Sequence, residues 1–339
     1  MQIGILTAGG DCPGLNAAIR GVVTRAVSDG ATVVGFEDGW EGLMQQRHRP
    51  LDRDDVRGIL VRGGTILGTS RVDPYVHGDG YASVRKAVEA TGVDRLVVIG
   101  GDGTLRTASK LADEGLGVIG VPKTIDNDIG GTDVSFGFHT AVQIVTDAID
   151  RLTTTAESHN RVMVVEVMGR TTGWIAAYGG MAGGAEAILV PEVEYDIGDL
   201  ADRLTARHEA GRTYSIVVVA EGVSAPGGGT LTSGLDAIGF ERLGGVGEAV
   251  ASALEERTGY ECRTMTLGHL QRGGTPTAYD RILATRLGVG AAEAALEGRS
   301  GVMMALQGDR VVAIDLEEAC REVRHLDPAR YADASWFSA

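Results

Sequence analysis

Short apolar runs alternate with amphipathic segments along most of the chain. Each run is a few residues long and rich in β-branched residues, which predicts buried strands. The predicted strands are Ile3–Leu6, Thr32–Phe36, Arg95–Ile99, Val118–Val121, Arg161–Val167, Ala187–Val190 and Ser215–Ala220. Between them, apolar residues recur at helical spacing, as from Leu15 to Ala26 and from Ala141 to Leu152. This alternation predicts parallel sheets covered by helices on both faces.

Composition narrows the class of protein. The chain has 339 residues, 43% of them hydrophobic, which supports a large core and excludes global disorder. It carries 31 basic and 46 acidic residues, so its formal charge is −15. That charge argues against nucleic-acid and membrane-surface partners, because both need a basic field. It does not exclude small anionic ligands in local pockets, and the 51 glycines suggest backbone that approaches such ligands closely.

The cysteines and the N-terminal residues point to the cytoplasm. Cys12, Cys262 and Cys320 form no C-x-x-C pair, so neither a disulfide scaffold nor a structural zinc site is expected. The first residues lack the basic segment of a signal peptide. No apolar run reaches the roughly 18 to 20 residues that a membrane span needs.

Glycine clusters follow three of the predicted strands, where ligands bind in such sheets. The first is T-A-G-G-D-C-P-G at 7–14, between a strand and a helix. Gly9 and Gly10 let backbone amides approach an anion, and the helix adds its positive N-terminal end. The spacing matches neither the dinucleotide fingerprint nor a Walker A loop. A tight turn with no ligand is the alternative interpretation.

The second cluster is G-G-D-G-T at 100–104. A carboxylate in a phosphate-binding loop would repel phosphate unless a divalent cation lay between them. Asp102 is therefore a candidate Mg²⁺ ligand, directly or through water. NAD kinases and diacylglycerol-type lipid kinases also carry this motif, so alone it does not fix the family.

The third motif is P-K-T-I-D-N-D at 122–128. Asp126 and Asp128 lie on one face if the segment is extended. One is a candidate general base towards a hydroxyl, and the other would orient that hydroxyl or bind metal. An Asx-rich turn is the alternative.

Six cationic residues, most of them beside glycines or at predicted strands, are candidates for phosphate binding. They are Arg71, Arg161, Arg170, Arg263, His269 and Arg272. In so acidic a chain this recurrence suggests phosphate clamps, since arginine binds phosphate bidentately. For any single arginine, a surface ion pair is the simpler interpretation.

Taken together, the motifs resemble the 6-phosphofructokinase family, from about Ile3 to Leu316. G-G-D-x-P-G-x-N-A-x-I-R, G-G-T-x-L-G-[ST]-x-R, G-G-D-G-[ST], T-I-D-N-D, E-V-M-G-R and G-H-x-Q-R-G-G-x-P-x-x-[YF]-D-R occur in family order. The resemblance implies an α/β fold of two Rossmann-like, doubly wound three-layer domains. Residues 1–137 plus about 271–321 would form the donor domain. Residues 138–270 plus about 322–339 would form the sugar-phosphate domain.

The resemblance also implies an activity. It is phosphoryl transfer from ATP to the 1-hydroxyl of fructose 6-phosphate with Mg²⁺, as in glycolysis. Asp126 matches the general base, and Thr124, Asp128, Arg71 and Arg170 complete the catalytic set. The donor residues would be Gly10, Arg71, Gly101, Asp102, Gly103, Thr104 and Lys123, with Asp102 at the metal. The substrate residues would be Thr124, Ile125, Asp126, Arg161, Met168, Gly169, Arg170, Glu221, Arg263, His269, Leu270, Gln271 and Arg272.

In the family, the arginines at the positions of Arg161 and Arg263 come from an adjacent subunit. The resemblance therefore implies self-association as a homotetramer, or at least a homodimer.

Two positions bear on the phosphoryl donor, and they disagree. Gly103 resembles ATP users, because pyrophosphate users typically place Asp there, where a carboxylate would fill and repel the α-phosphate position. Lys123 resembles pyrophosphate users. We give Gly103 more weight, since a missing side chain leaves room for ATP. A pyrophosphate-dependent, reversible phosphotransferase remains the alternative.

Two other classes of protein are weaker hypotheses. A non-catalytic phosphosugar sensor on this fold would need a damaged catalytic set, yet Asp102, Asp126, Asp128 and Arg170 are all present. A lipid or NAD kinase would share the G-G-D-G-T motif but leave the sugar-phosphate motifs unexplained.

Overall fold

The structure is a computed structural model, and it describes residues 1–77, 79–235 and 241–335. The strands are β1 (Gln2–Ala8), β2 (Thr32–Phe36), β3 (His48–Leu51), β4 (Arg95–Gly100), β5 (Val118–Thr124), β6 (Phe136–Gly137), β7 (Val162–Val167), β8 (Ala187–Leu189), β9 (Ser215–Ala220), β10 (Thr232–Leu235), β11 (Glu241–Leu243), β12 (Cys262–Thr266), β13 (Val302–Gln307) and β14 (Arg310–Asp315). The helices are α1 (Leu15–Ser28), α2 (Gly39–Met44), α3 (Pro74–His77), α4 (Tyr81–Thr91), α5 (Asp102–Asp113), α6 (Phe138–His159), α7 (Trp174–Ala182), α8 (Ile197–Glu209), α9 (Val246–Thr258), α10 (Ala278–Leu296), α11 (Leu316–Ala319) and α12 (Pro328–Ser335). Two 3-10 helices cover Ile59–Val61 and Gly268–Arg272.

All seven predicted strands are present, as β1, β2, β4, β5, β7, β8 and β9. The two predicted helices are α1 and α6. The sequence did not predict β3, β6 or β10 to β14. Three of the five residues of β12 are exposed, so this strand lacks the continuous apolar run of a buried strand. Strand β13 does have such a run, V-M-M-A-L-Q, with four consecutive buried residues.

The chain divides into two compact units. Unit 1 comprises Met1–Thr140 and Arg272–Val323, and unit 2 comprises Ala141–Gln271 and Arg324–Ala339. The breaks fall within a few residues of the predicted boundaries, although 336–339 lie outside the described residues. The assignment of donor to one unit and sugar phosphate to the other stays a prediction.

Unit 1 is built on one large sheet with the strand order β14-β13-β5-β4-β1-β2-β3, and β6 pairs with β5. Strands β2, β1, β4, β5 and β13 run parallel, while β3 and β14 are antiparallel edge strands. The chain leaves β1 towards β2 on one side and later returns to β4 on the other. The strand order therefore reverses between β1 and β4, which makes that crevice the switch point of the sheet.

Helices cover both faces of this sheet. Leu6 of β1 and Val98 of β4 belong to one apolar cluster with side chains of α2, α4, α5 and α11. Because successive side chains of a strand point to opposite faces, Ile5 and Val97 lie on the other face, where both are fully buried. Helices α1 and α10 pack on each other and on the sheet strands. Unit 1 therefore has three layers.

Unit 2 is built on a parallel sheet with the order β12-β7-β9-β8. Glycine at 180 lets α7 approach Val218, whereas glycine at 247 lets α9 approach Glu166. Val218 pairs with Val165, the residue before Glu166, so the two helices lie on opposite faces of the sheet. The strands β10 and β11 form a separate hairpin.

The C-terminal segment of unit 2, which begins at Arg324, packs against α7. The Trp174 indole N–H donates to the Arg324 carbonyl at 2.9 Å, and the Arg324 guanidinium lies 4.2 Å from the centre of the Trp174 ring. The carboxylate of Glu192 accepts from the Gly173 and Leu326 amides at 2.9–3.1 Å. Glu192 thus joins the start of α7 to the C-terminal segment. In the described parts of both units, no helix is long and apolar enough to cross a membrane.

Candidate active site

Three predicted motifs lie next to one another at the carboxyl-terminal ends of neighbouring strands in the unit 1 sheet. Ala8 at the end of β1 pairs with Gly100 at the end of β4, and Gly100 pairs with Pro122 of β5. The loops that begin at Gly9 and Gly101, and the end of β5, therefore lie in consecutive strand positions. The first two flank the switch point, where such sheets bind ligands.

The loop after β1 is held by the segment that carries Arg71. The Gly9 amide donates to the Ser70 carbonyl at 2.9 Å, and the Thr69 hydroxyl donates to the Gly9 carbonyl at 2.7 Å. Gly9 has a φ of +82°, which favours glycine. Arg71 follows directly and is exposed. The predicted donor residues Gly10 and Arg71 are thus brought into neighbouring segments of unit 1.

A buried asparagine orders the glycine-rich segment before Arg71. The Asn16 side-chain amide donates to the Arg62 and Gly63 carbonyls at 3.0 and 3.2 Å, and its oxygen accepts from the Ile66 amide at 2.8 Å. The Thr7 hydroxyl donates to the Gly68 carbonyl at 2.7 Å. Both side chains come from the β1–α1 region, so two of the sequence motifs form one local structure.

The G-G-D-G-T motif forms the start of α5. Gly101 is the residue before the helix, and Asp102 lies in its first turn, where a carboxylate stabilises the positive end. Thr104 is buried against Gly100, where a β-carbon would lie 2.3 Å from the threonine methyl. At Gly103, by contrast, no described atom outside its chain neighbours and the backbone of its own helix lies within 4 Å of the place a β-carbon would take. The position expected to discriminate between donors therefore borders open space.

The structure allows a test of whether Asp102 suits Mg²⁺. Both of its carboxylate oxygens accept from the Arg106 Nε, at 2.8 and 3.0 Å. Among the described residues, no group of three or more His, Cys, Asp or Glu side chains is arranged to hold a metal ion. Mg²⁺ with a nucleotide typically takes one or two carboxylates and fills its other positions with phosphate and water. Asp102, a part-exposed carboxylate just after this strand end, fits that pattern as the one protein ligand and would share its charge between the metal and Arg106.

Lys123 lies beneath the loop after β1. Its side chain is 2% exposed, and its ammonium donates to the Gly10 carbonyl. Burial lowers the pKa of this ammonium from its ordinary value. Arg272 reaches the same loop, where its Nη1 donates to the Asp11 carbonyl at 3.2 Å.

The predicted general base is held in a buried turn at the end of β5. Asp126 is 4% exposed, and its amide donates to the Thr124 hydroxyl at 3.1 Å. Asn127 has a left-handed φ of +55°, and its side-chain oxygen accepts from the Ser135 amide at 3.0 Å. The Ser135 hydroxyl donates to the Thr124 carbonyl at 2.9 Å. This turn fixes the backbone on both sides of Asp126, as a positioned base requires.

Unit 2 collects most of the predicted sugar-phosphate residues. Met168, Gly169 and Arg170 form a turn after β7, with Gly169 at φ +145° and Arg170 at φ +53°. The Arg170 amide donates to the Glu221 carboxylate at 3.0 Å. The side chain of Gln271 is buried, and its oxygen accepts from the Met168 amide at 3.3 Å.

Two predicted phosphate-binding arginines share one carboxylate. Arg161 Nη2 lies 2.8 Å from Glu261 Oε1, and Arg263 pairs with the same oxygen. The hydrogen bond from Arg161, followed by the charges of both arginines, lowers the pKa of Glu261. His269 and Leu270 lie next in the chain after β12, on the exposed side of the second 3-10 helix.

Sequence reasoning missed several residues that shape these sites. Thr69, Glu261 and Glu192 are examples. Each contacts at least one residue that is far away in the sequence, namely Gly9 for Thr69, Arg161 for Glu261 and Leu326 for Glu192. For Thr69 a signal existed, since the G-G-T-x-L-G-[ST]-x-R pattern accepts only hydroxyl residues at this position.

A doubly wound sheet with glycine-rich loops at its switch point defines a phosphate-binding α/β protein. The family model described as Phosphofructokinase matches residues 2–295. The chain therefore belongs to the phosphofructokinase family, and the predicted family and fold are confirmed.

Individual relatives agree on the family and differ in the donor that their names give. "ATP-dependent 6-phosphofructokinase 3" of Streptomyces coelicolor is 54% identical over 338 residues, 98% of this chain and 99% of the relative. "Pyrophosphate--fructose 6-phosphate 1-phosphotransferase" of Amycolatopsis methanolica is 52% identical over 341 residues, 99% of each chain. Among solved structures, Pichia pastoris phosphofructokinase in the T-state is similar with a TM-score of 0.85 and 33% identity. That match covers 94% of this chain and 37% of the longer Pichia chain.

Proposed function

We propose that this protein transfers the γ-phosphoryl group of ATP to the 1-hydroxyl of fructose 6-phosphate, giving fructose 1,6-bisphosphate. The observation that carries the choice of donor is the open space at Gly103. ATP needs room beyond its β-phosphate, and a side-chain carboxylate there would remove that room and repel the α-phosphate. The alternative donor is pyrophosphate, which relatives of nearly equal identity are named for.

Asp126 is proposed to take the proton from the sugar hydroxyl as the phosphorus is attacked. Its burial keeps water from competing for the carboxylate, and the Thr124 hydroxyl holds its backbone. Thr124 and Asp128 are proposed to complete this turn beside substrate and metal, and Ile125 lies buried between them.

Charge neutralisation is proposed to come from arginines and from Mg²⁺ held by Asp102. Asp102 would hold this ion, which would supply positive charge to offset the negative charge of the phosphoryl donor. Arg71 would act on the transferring phosphoryl group. Gly10, Gly101, Gly103 and Thr104 would contact the donor mainly through backbone and a short side chain.

The sugar phosphate is proposed to bind the predicted residues of unit 2. Arg170, Met168 and Gly169 form the turn after β7, and Glu221 holds the Arg170 amide. Arg161 and Arg263 are proposed to clamp the 6-phosphate of a neighbouring subunit in a homotetramer or homodimer. His269, Leu270 and Gln271 of unit 2 are proposed to complete this set together with Arg272, which is the first residue of the second segment of unit 1. The proposed location of the protein is the cytoplasm.

The test is a direct assay of fructose 1,6-bisphosphate formation with ATP and, separately, with pyrophosphate. Turnover with ATP is expected, and turnover with pyrophosphate alone would overturn the choice of donor. Gly103→Asp is expected to lower kcat/KM for ATP by at least about ten-fold, the effect of roughly 1.4 kcal/mol of like-charge repulsion. Gly103→Ala is the matched control, because the open space accepts a methyl group and ATP use should persist.

A further inference from the structure

Three consecutive carbonyls in the loop after β1 are each bound by a side chain from a different segment of unit 1. The Thr69 hydroxyl donates to the Gly9 carbonyl at 2.7 Å. The Lys123 ammonium donates to the Gly10 carbonyl, and the Arg272 guanidinium donates to the Asp11 carbonyl at 3.2 Å. The three donors come from the segment before Arg71, from β5 and from the second 3-10 helix.

This pattern has a direct consequence for the amides. In a planar trans peptide, the carbonyl of one residue and the N–H of the next point in opposite directions. Fixing the carbonyls of residues 9, 10 and 11 therefore makes each of the amides of Gly10, Asp11 and Cys12 point away from the side chain that binds the carbonyl before it. Consecutive amides fixed in this way provide partial positive charge for an anion at a strand end.

The glycines in the loop are explained by the same contacts. A β-carbon at Gly10 would lie 2.4 Å from Arg272 Nη1 and 3.1 Å from its Cζ. The guanidinium reaches the Asp11 carbonyl only because position 10 has no side chain. At Gly9, a β-carbon would lie 3.3 Å from the Thr104 hydroxyl, and the left-handed backbone also favours glycine.

The place of Lys123 argues for an anchoring role. Lys123 is a buried residue, and a buried ammonium needs a strong partner because its desolvation is unfavourable. Here the partner is a backbone carbonyl. Because Lys123 binds the protein's own backbone, its presence does not by itself indicate a pyrophosphate donor.

We propose that Thr69, Lys123 and Arg272 are positioning residues that hold the Gly9–Asp11 backbone with its amides presented to the donor phosphates. Thr69 has no role in the resemblance described above. Lys123 and Arg272, which the resemblance places in contact with donor and substrate, are proposed to bind backbone carbonyls instead. The proposal rests on the proposed function, because it names the phosphoryl donor as the anion.

Thr69 offers the cleanest test, since its substitutions change one hydroxyl. Thr69→Val removes the donor and keeps the β-branched shape, and it is expected to raise the KM for ATP by about three- to ten-fold. The KM for fructose 6-phosphate should stay unchanged. Thr69→Ser keeps the hydroxyl and should restore the wild-type KM for ATP.

Thr91→Val is the matched control for stability. Its hydroxyl donates to the Ala87 carbonyl at 2.8 Å at the end of α4, another part-buried hydroxyl-to-carbonyl bond. This variant should lose stability as Thr69→Val does and leave the KM for ATP unchanged. An unchanged KM for ATP in Thr69→Val, or no rescue by Thr69→Ser, would overturn the proposal.

Binding without turnover separates this proposal from the proposed function. Stabilisation by ATP and by inorganic pyrophosphate is measured by thermal shift for the wild type, Thr69→Val and Lys123→Met. Both variants are expected to weaken stabilisation by either anion, since an anchored loop serves any phosphate. Loss with only one of the two would instead indicate direct contact with that ligand. A wild type that binds ATP but transfers no phosphoryl group would refute the proposed function and leave the anchoring proposal testable.

Discussion

The candidate anion-binding sites of units 1 and 2 use different chemical groups. In unit 1 the candidate donor loops present backbone amides, and side chains such as Thr69 and Lys123 act on carbonyls beneath them. In unit 2 the candidate groups are arginine side chains at the surface, and a carboxylate holds two of them. The first arrangement is rigid and depends on glycine, while the second depends on long, flexible cations.

This difference explains how a chain with a charge of −15 can bind two anionic substrates. Backbone amides add no net charge, so unit 1 needs few cations at its sheet edge. In unit 2, Glu261 pairs with both Arg161 and Arg263, so these two proposed phosphate-binding cations are brought together locally. Net charge therefore describes the surface as a whole and says little about either site.

The largest expected effect separates chemistry from binding in unit 1. Asp126→Asn removes the proposed base but keeps its size, and kcat should fall by about 10²- to 10⁴-fold. Thermal stabilisation by ATP and by fructose 6-phosphate should remain. A variant that retains more than a tenth of wild-type kcat would show that Asp126 is not the base.

The second largest expected effect is on substrate binding by the arginines of unit 2. Arg161→Met should raise the KM for fructose 6-phosphate by about 10- to 100-fold, as expected for a lost charged hydrogen bond. The KM for ATP should not change, which is the reverse of the pattern expected for Thr69→Val. Steady-state kinetics with each substrate varied in turn provide the measurement. Equal changes in both constants would contradict the division of roles.

A smaller effect concerns the stability of unit 2. Glu192→Ala leaves the Gly173 and Leu326 amides without their carboxylate, and the free energy of unfolding should fall by about 1–3 kcal/mol. Urea denaturation measures this change. Glu297→Ala is the control in unit 1, because its ion pair with Arg299 is more than half exposed and should contribute under about 1 kcal/mol. Equal losses in both variants would argue against the role given to Glu192.

The smallest expected effect is a change in the pKa of Glu261. The Arg161 hydrogen bond, with the charges of Arg161 and Arg263, depresses the pKa of Glu261 below its ordinary value of 4.5. The ionised Glu261 carboxylate therefore stabilises the folded state above pH 4.5, and this contribution is lost as the pH falls through the lower, folded-state pKa. NMR titration of the Glu261 carboxyl should give a midpoint below 4.5 in the wild type and a higher one in Arg161→Met. An identical midpoint in both would mean that the pair does not persist in solution.

Much of the fold was predictable because buried parallel strands and amphipathic helices leave local patterns. The runs that form β1, β4 and β5 were each recognised from a few consecutive residues. Strand β12 was not predicted because three of its five residues are exposed, so its pairing with β7 decides its structure. The candidate site residues came from motif order, and their proposed roles remain to be tested.

The sequence by itself determined the family, the strand–helix alternation and the glycine-rich loops, since each is a property of neighbouring residues. Only the tertiary structure decided what those loops are fastened to. Thr69, Lys123 and Arg272 are 60, 113 and 261 residues away from the carbonyls that they bind. No local pattern encodes such a contact, because it exists only once the sheet order has brought the three segments together. The direction of the amides, and with it the proposed donor site, is therefore a product of the fold.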